Sequence, residues 1–199
     1  MMLRYCLAAA MAAAGFASPL FAQDAEPAGE KVATGFRVEV LGGIEGTSFD
    51  TGNDGEGFVY GIGAGYDFAA GRLRFGIEAE AADSTVRECF IFDLTDVCSK
   101  SGRDLYLGAR AGAMVSPGIL LYAKAGYTNL RETFSTNGPI LGFPPIVSHH
   151  KYDGLRLGGG AEVAVGRNMF IKAEYRFSNY EAIESFDKHQ GVIGVGIRF

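Results

Sequence analysis

The chain has 199 residues, a formal net charge of −5, 29 Gly and 15 Phe. A mildly acidic chain without clusters of Lys and Arg is not typical of nucleic-acid-binding proteins. The length leaves room for one domain. Beyond the N-terminal segment, no uncharged apolar stretch of about 18 residues remains that could cross a bilayer as a helix.

Residues 1–22 predict a secretory signal peptide. A positive charge near the N-terminus precedes an Ala-rich apolar stretch, and a small residue ends the segment before the chain turns polar. Cleavage is predicted after Ala22. Cleavage after Ala17 is the alternative, because the residue at the −3 position of the first cut is large. Residues 23–34 are then a periplasmic linker, and residues 35–199 form the folded domain.

The rest of the chain alternates between apolar positions and positions that are charged or small. In the first segment, Val38 and Val40 fall on one face, and Arg37 and Glu39 fall on the other. This period of two is typical of β-strands. The alternation predicts eight strands, in chain order Phe36–Glu45, Phe58–Phe68, Leu73–Ala81, Asp104–Val115, Ile119–Thr128, Gly154–Val165, Met169–Ser178 and Gln190–Phe199.

The apolar face of these eight strands carries no charge. Such depletion is expected of a surface that faces lipid, where an Arg or Lys at the bilayer midplane costs about 2–4 kcal/mol. A soluble barrel would instead turn its apolar side chains inward, and one eight-stranded interior cannot hold so many large ones. The sequence therefore predicts an all-β fold, an eight-stranded antiparallel transmembrane β-barrel.

The predicted connections alternate in length, as they do in outer-membrane barrels, where short turns face the periplasm and longer loops face outside. The long connections are Gly46–Gly57, Ala82–Arg103 and Asn129–Asp153, and the short ones are Ala69–Arg72, Ser116–Gly118 and Gly166–Asn168. The last connection, Asn179–His189, is of intermediate length.

The inward face carries bases and acids in equal number. Buried charges are tolerated when they are paired and hydrogen-bonded, and the interior of an eight-stranded barrel is about filled by its side chains. We therefore predict a self-neutralising network in a plugged lumen, with a narrow ion path as the alternative. The bases are Arg37, Arg74, Arg110, Lys124, Arg156, Lys172, Arg176 and Arg198, and the acids are Glu39, Glu45, Asp67, Glu78, Glu80, Asp104, Glu162 and Glu174.

Cys89 and Cys98 lie in a polar segment of the predicted mature chain. In an oxidising periplasm a disulfide is the leading interpretation, and it would stabilise by about 2–3 kcal/mol. A two-cysteine metal site is the weaker alternative because no His lies nearby. No metal site or cofactor is predicted elsewhere.

The third long connection contains an apolar run that is predicted to be extracellular. Exposed apolar patches often mark contacts, so this run is the candidate contact with a host or envelope partner. The alternative is that it folds over the barrel mouth or rests on lipid headgroups. Its apolar residues are Ile140, Leu141, Phe143 and Ile146.

Three segments, 121–127, 172–178 and 194–199, carry a family resemblance. The chain resembles the small eight-stranded outer-membrane barrels of the opacity-protein and outer-membrane-protein-A-like "porin family" of Gram-negative bacteria. The resemblance implies a monomer in the outer membrane, surrounded by its lipid. It also implies that Phe199, at the end of the last strand, is the signal read by the barrel-assembly machinery.

The same resemblance implies a surface or structural protein that acts through its loops in envelope integrity, adhesion or host interaction. A small diffusion porin is the alternative, and a membrane-embedded lipid-modifying enzyme is a further one. A deacylase would place a His two residues before Ser178, and Arg176 stands there. We therefore predict no enzymatic activity, and neither His149, His150 nor His189 is expected to be catalytic.

Overall fold

The computed structural model describes residues 34–49, 55–92, 95–136, 144, 146–181 and 186–199. Residues 1–33 lie outside them, so the signal peptide and linker stay predictions. Among the described residues, no helix is long and apolar enough to cross a bilayer. The strands are β1 (Gly35–Phe49), β2 (Gly55–Ala70), β3 (Leu73–Ser84), β4 (Arg87–Phe92), β5 (Thr95–Ser116), β6 (Ile119–Thr136), β7 (Val147–Val165), β8 (Met169–Glu181) and β9 (Phe186–Arg198).

Eight of these strands close into a ring. Each strand pairs antiparallel with its neighbours in the order β3-β2-β1-β9-β8-β7-β6-β5, and a pairing between β3 and β5 closes the ring. The short strand β4 pairs with β5 outside the ring. The predicted all-β, eight-stranded antiparallel barrel is confirmed.

Three tight turns lie at the end of the barrel that holds Phe199. Each turn has one glycine with a positive φ, namely Gly71 (61°), Gly118 (84°) and Gly166 (70°). Glycine adopts this backbone region without the steric cost that a Cβ imposes. We call this the near end of the barrel, and the opposite end the far end.

At the far end, all three predicted long loops are largely strand, which corrects the prediction from sequence. Within Gly46–Gly57, β1 continues to Phe49 and β2 begins at Gly55. Within Ala82–Arg103 the structure places the end of β3, all of β4 and the start of β5, and within Asn129–Asp153 it extends β6 and β7. Both faces of these extensions carry polar residues, so their alternation lacks the apolar face that predicts a strand. Pairing with the neighbouring strand satisfies their backbone groups all the same.

The two faces of the barrel wall follow the predicted alternation. Ile62, Ile77 and Leu157 are 57 to 62% exposed on the outside, whereas Arg37 and Arg176 are fully buried inside. The molecule therefore has a polar interior and an apolar exterior, which is the arrangement expected of a barrel whose solvent is lipid.

A disulfide joins Cys89 on β4 to Cys98 on β5, where the two residues lie directly opposite each other. The bond thus closes the short hairpin that extends beyond the ring. We expect the Cys89→Ala, Cys98→Ala double variant to keep an intact barrel but to lose hairpin order. Limited proteolysis should cut the hairpin several-fold faster, while heat-modifiable gel mobility stays unchanged. Loss of barrel assembly in this variant would contradict the assignment of the bond to a local role.

Candidate functional site

Among the side chains that the structure describes, nine basic and nine acidic ones are buried in the barrel interior. They include all sixteen residues predicted to face inward, together with Lys188 and Glu132. The prediction from sequence placed Lys188 and Glu132 in loops and therefore missed them. They lie in the far-end extensions of β9 and β6. The bases are Arg37, Arg74, Arg110, Lys124, Arg156, Lys172, Arg176, Lys188 and Arg198, and the acids are Glu39, Glu45, Asp67, Glu78, Glu80, Asp104, Glu132, Glu162 and Glu174.

Near the turns, Asp67 is surrounded by three guanidinium groups. It accepts hydrogen bonds from Arg37 Nε at 3.2 Å, from Arg198 Nη2 at 3.1 Å and from Arg110. Arg110 and Arg198 also reach Glu162, at 3.2 and 2.7 Å. One carboxylate therefore holds together cations from three different strands.

Arg74 lies at the edge of this near-end cluster. Its Nη1 donates to the backbone carbonyls of Gly71 and Leu73, at 2.6 and 2.9 Å. The side chain thus anchors the first tight turn.

At mid-height, Lys124 lies between three carboxylates. Its Nζ is 2.9 Å from oxygens of Glu78, Glu80 and Glu174. Lys172 extends this cluster, with its Nζ 2.6 Å from Glu39 Oε1.

Arg176 joins the same mid-height cluster from β8. It donates to Glu80 at 2.9 Å and to Glu174. Charge-assisted hydrogen bonds of this kind are about twice as strong as neutral ones.

Toward the far end, Asp104 is the common partner of a second group of side chains. It pairs with Arg156 and accepts hydrogen bonds from Thr128 at 2.6 Å and from Tyr180 at 3.1 Å. Arg156 also donates to Ser178 at 2.8 Å.

Farther out, Glu45 accepts a hydrogen bond from Gln190 at 2.8 Å. The Nζ of Lys188 lies 3.5 Å from Glu45 and donates to Ser101 at 2.9 Å. The polar contacts thus continue from the near end of the lumen to the far end.

Two tyrosines fill the space between the charges. The Tyr106 ring has Lys124 Nζ 4.5 Å from its centroid, and the Tyr122 ring has the Arg110 guanidinium at 5.0 Å. Tyr122 also donates to Glu174 at 2.5 Å. These contacts have cation–π geometry, in which the ring face attracts the cation.

Glycine on the neighbouring strand makes room for Tyr106. A Cβ added at Gly126 would meet the Tyr106 ring and the backbone of Leu107 and Gly108, whereas a Cβ at Gly46 would meet nothing within 4 Å. We expect Gly126→Val to lower the free energy of unfolding by about 1–3 kcal/mol, as overpacking does. Gly46→Val is the matched control and should leave it nearly unchanged. Urea titration of both variants in lipid vesicles measures the difference, and equal stability would contradict this packing.

Phe199 and Ile146 are exposed. The Phe199 ring lies 6.2 Å from that of Phe36, and its backbone N–H donates to the Phe36 carbonyl at 2.8 Å. Ile146 is 56% exposed just before β7. Ile140, Leu141 and Phe143, the other members of the predicted contact loop, lie outside the described residues.

The three histidines lie within strands rather than in loops. His149 contacts Thr133 at 3.0 Å, His150 contacts Ser148 at 3.2 Å, and His189 contacts Tyr175 at 2.6 Å. The ring of His150 also packs edge-on against Phe134.

Asp153 lies at the outer far-end rim, beyond the apolar surface. Hydrogen bonds donated by Tyr127 and Asn129 hold the pKa of this carboxyl below its usual value. Asp153 is therefore ionised at neutral pH.

Comparisons with known proteins agree with this architecture. The family model described as outer membrane protein beta-barrel domain matches residues 7–199. Neisserial surface protein A is 21% identical, with a TM-score of 0.59 over 83% of this chain and 98% of that one. Ail, the attachment invasion locus protein of Yersinia pestis, is 17% identical, with a TM-score of 0.56 over 83% and 99%. No curated protein sequence matches this chain.

Proposed function

This chain belongs to the outer-membrane protein β-barrel family, and we propose that it is a non-enzymatic surface or structural protein whose lumen is plugged and whose extracellular side makes the functional contacts. Export by residues 1–22 and recognition of Phe199 by the assembly machinery are parts of the same proposal. We also propose that the barrel is a monomer surrounded by outer-membrane lipid.

The observation that supports a plugged lumen is that polar contacts cross the full width of the ring. Arg176 on β8 and Glu80 on β3 are four strands apart in either direction, yet they are 2.9 Å from each other. Lys188 on β9 and Ser101 on β5 are also four strands apart and bond at 2.9 Å. Side chains that meet across the diameter at two heights leave little width for hydrated ions.

The far end supports a role in surface contacts. Its strands extend past the apolar surface, and Ile146 and Val147, beside the predicted contact loop, are 56 and 66% exposed there. Apolar groups held in water favour association with a partner. A protein of similar fold, Ail, has been solved in complex with the heparin analogue sucrose octasulfate, so a barrel of this shape can present a ligand-binding surface.

Adhesion to cultured epithelial cells tests the contact role. We expect the Phe143→Ser, Ile146→Ser double variant, expressed at the cell surface, to reduce adhesion at least tenfold while folding normally. Ile91→Ser, which removes an exposed isoleucine from a different hairpin, is the matched control and should retain adhesion. Unchanged adhesion of the double variant, or an equal loss in the control, would contradict a contact role for this loop.

Incubation with outer-membrane lipid distinguishes the enzymatic alternative. The folded barrel should release no fatty acid and transfer no acyl chain by mass spectrometry. Acyl release that disappears in a His150→Ala variant would overturn the non-enzymatic assignment.

A further inference from the structure

Five cations lie on the outer surface of the far-end extension, on adjacent strands. They form two cross-strand rows, and we call them the rim cations. The upper row, farther from the apolar surface, pairs Arg87 with Lys100 directly, and the lower row pairs Arg131 directly with Lys151, beside Arg103. Like charges directly opposite each other in a sheet are destabilising. An anion bound between the two cations of a row would relieve this repulsion.

The rim cations have few anionic neighbours. In the part of the chain that the structure describes, none of the five forms an ion pair, and Arg103 donates instead to Asn129 at 3.3 Å. The described acids beside them are Asp153, which already accepts two hydrogen bonds, and Asp83, which accepts one from the Ser84 backbone. Among the side chains that the structure describes at this rim, five positive charges lie near two negative ones.

A shallow apolar furrow of about 1010 Å³ begins directly below the lower row. Ala64, Ala79 and Ala81 form its floor, and Ile62, Leu105 and Tyr127 stand at its sides. Asn129, the partner of Arg103, also lines it. The lining crosses the outside of the barrel wall from Ile197 on β9, close to the near end, to Asn129 on β6, beside the lower row.

We propose that the lower-row cations Arg103, Arg131 and Lys151 bind the anionic phosphate headgroup of an acylated lipid of the outer leaflet, whose acyl chain lies in the furrow beneath them. The charge complements phosphate, and Arg offers it paired donors. The furrow continues the same surface into the apolar region. A soluble polyanion has no acyl chain that could lie in the furrow. This inference concerns the outer wall and does not depend on whether the lumen is plugged.

Native mass spectrometry of the mature barrel in neutral detergent tests the proposal, with diphosphorylated lipid A as the probe. We expect the Arg131→Gln, Lys151→Gln variant to lower lipid retention at least tenfold. Arg87→Gln, Lys100→Gln removes the same charge from the upper row and should retain lipid nearly as well as the unaltered protein. Equal loss from the two pairs would overturn a site at headgroup depth, as would no loss from either.

Two further experiments distinguish a lipid ligand from a soluble anionic ligand. Ala79→Phe fills the furrow from an exposed position, and it should weaken retention of lipid A several-fold without altering barrel stability. Dephosphorylated lipid A should bind the unaltered protein no more tightly than diphosphorylated lipid A binds the Arg131→Gln, Lys151→Gln variant. If heparin binds as well as lipid A and Ala79→Phe has no effect on either, the rim is a polysaccharide site and the lipid proposal fails.

Discussion

Asp67→Asn is expected to lower the free energy of unfolding by about 3–5 kcal/mol, because removing one partner of a buried ion pair leaves uncompensated charge in a medium that cannot solvate it. The Asp67 side chain is fully buried and is shared by Arg37, Arg110 and Arg198. The substitution keeps the size of the side chain, so the loss measures charge rather than packing. Urea titration in lipid vesicles, followed by gel mobility, gives the value.

Asp153→Asn is the matched control for this prediction. It makes the same chemical change at an exposed rim position, where the hydrogen bonds from Tyr127 and Asn129 are open to solvent. Exposed polar contacts contribute about 0–1 kcal/mol. If the two substitutions lower the free energy of unfolding equally, the interior must be hydrated. Asp67 would then not be the buried partner shared by three arginines.

Ile77→Arg is expected to cost about 2–4 kcal/mol of folding free energy, since it places a cation on the lipid face. Ile77 is 60% exposed at the middle of the apolar outward positions of β3, which run from Leu73 to Ala81. Folding yield into vesicles and the urea midpoint should both fall.

Two controls accompany this substitution. Ile77→Leu keeps the lipid face apolar and should fold normally. Ile91→Arg introduces the same charge at an exposed position of β4, outside the ring, and should be tolerated. Tolerance of Ile77→Arg would contradict the assignment of this face to lipid.

The barrel wall could be predicted from sequence because a strand between lipid and a polar lumen must alternate strictly. Positions such as Val38 and Arg37 therefore have opposite character along the whole transmembrane length. Beyond the apolar surface this contrast disappears, since both faces of the wall meet polar surroundings. The extensions around Arg131 and Lys151 consequently read as loop although they are paired strands.

The partners within the lumen could not be predicted, because alternation gives the face of a residue but not the residue opposite. Lys124 was assignable to the interior, yet its contacts with Glu78, Glu80 and Glu174 come from two other strands. Strand order and stagger around the closed ring decide which side chains meet. The rim cations were missed for the same reason, since Arg131 and Lys151 are adjacent only through the β6–β7 register.

Single-channel conductance of the refolded mature chain in a planar bilayer tests most directly the proposal that paired charges plug the lumen. Folding of the inserted protein is verified by its gel mobility before the recording. We expect no stepwise current from the folded barrel, because Arg176–Glu80 and Lys188–Ser101 join opposite walls at two heights. Steady, reproducible current steps would show that water and ions pass between these side chains, and the protein would then be a small diffusion porin.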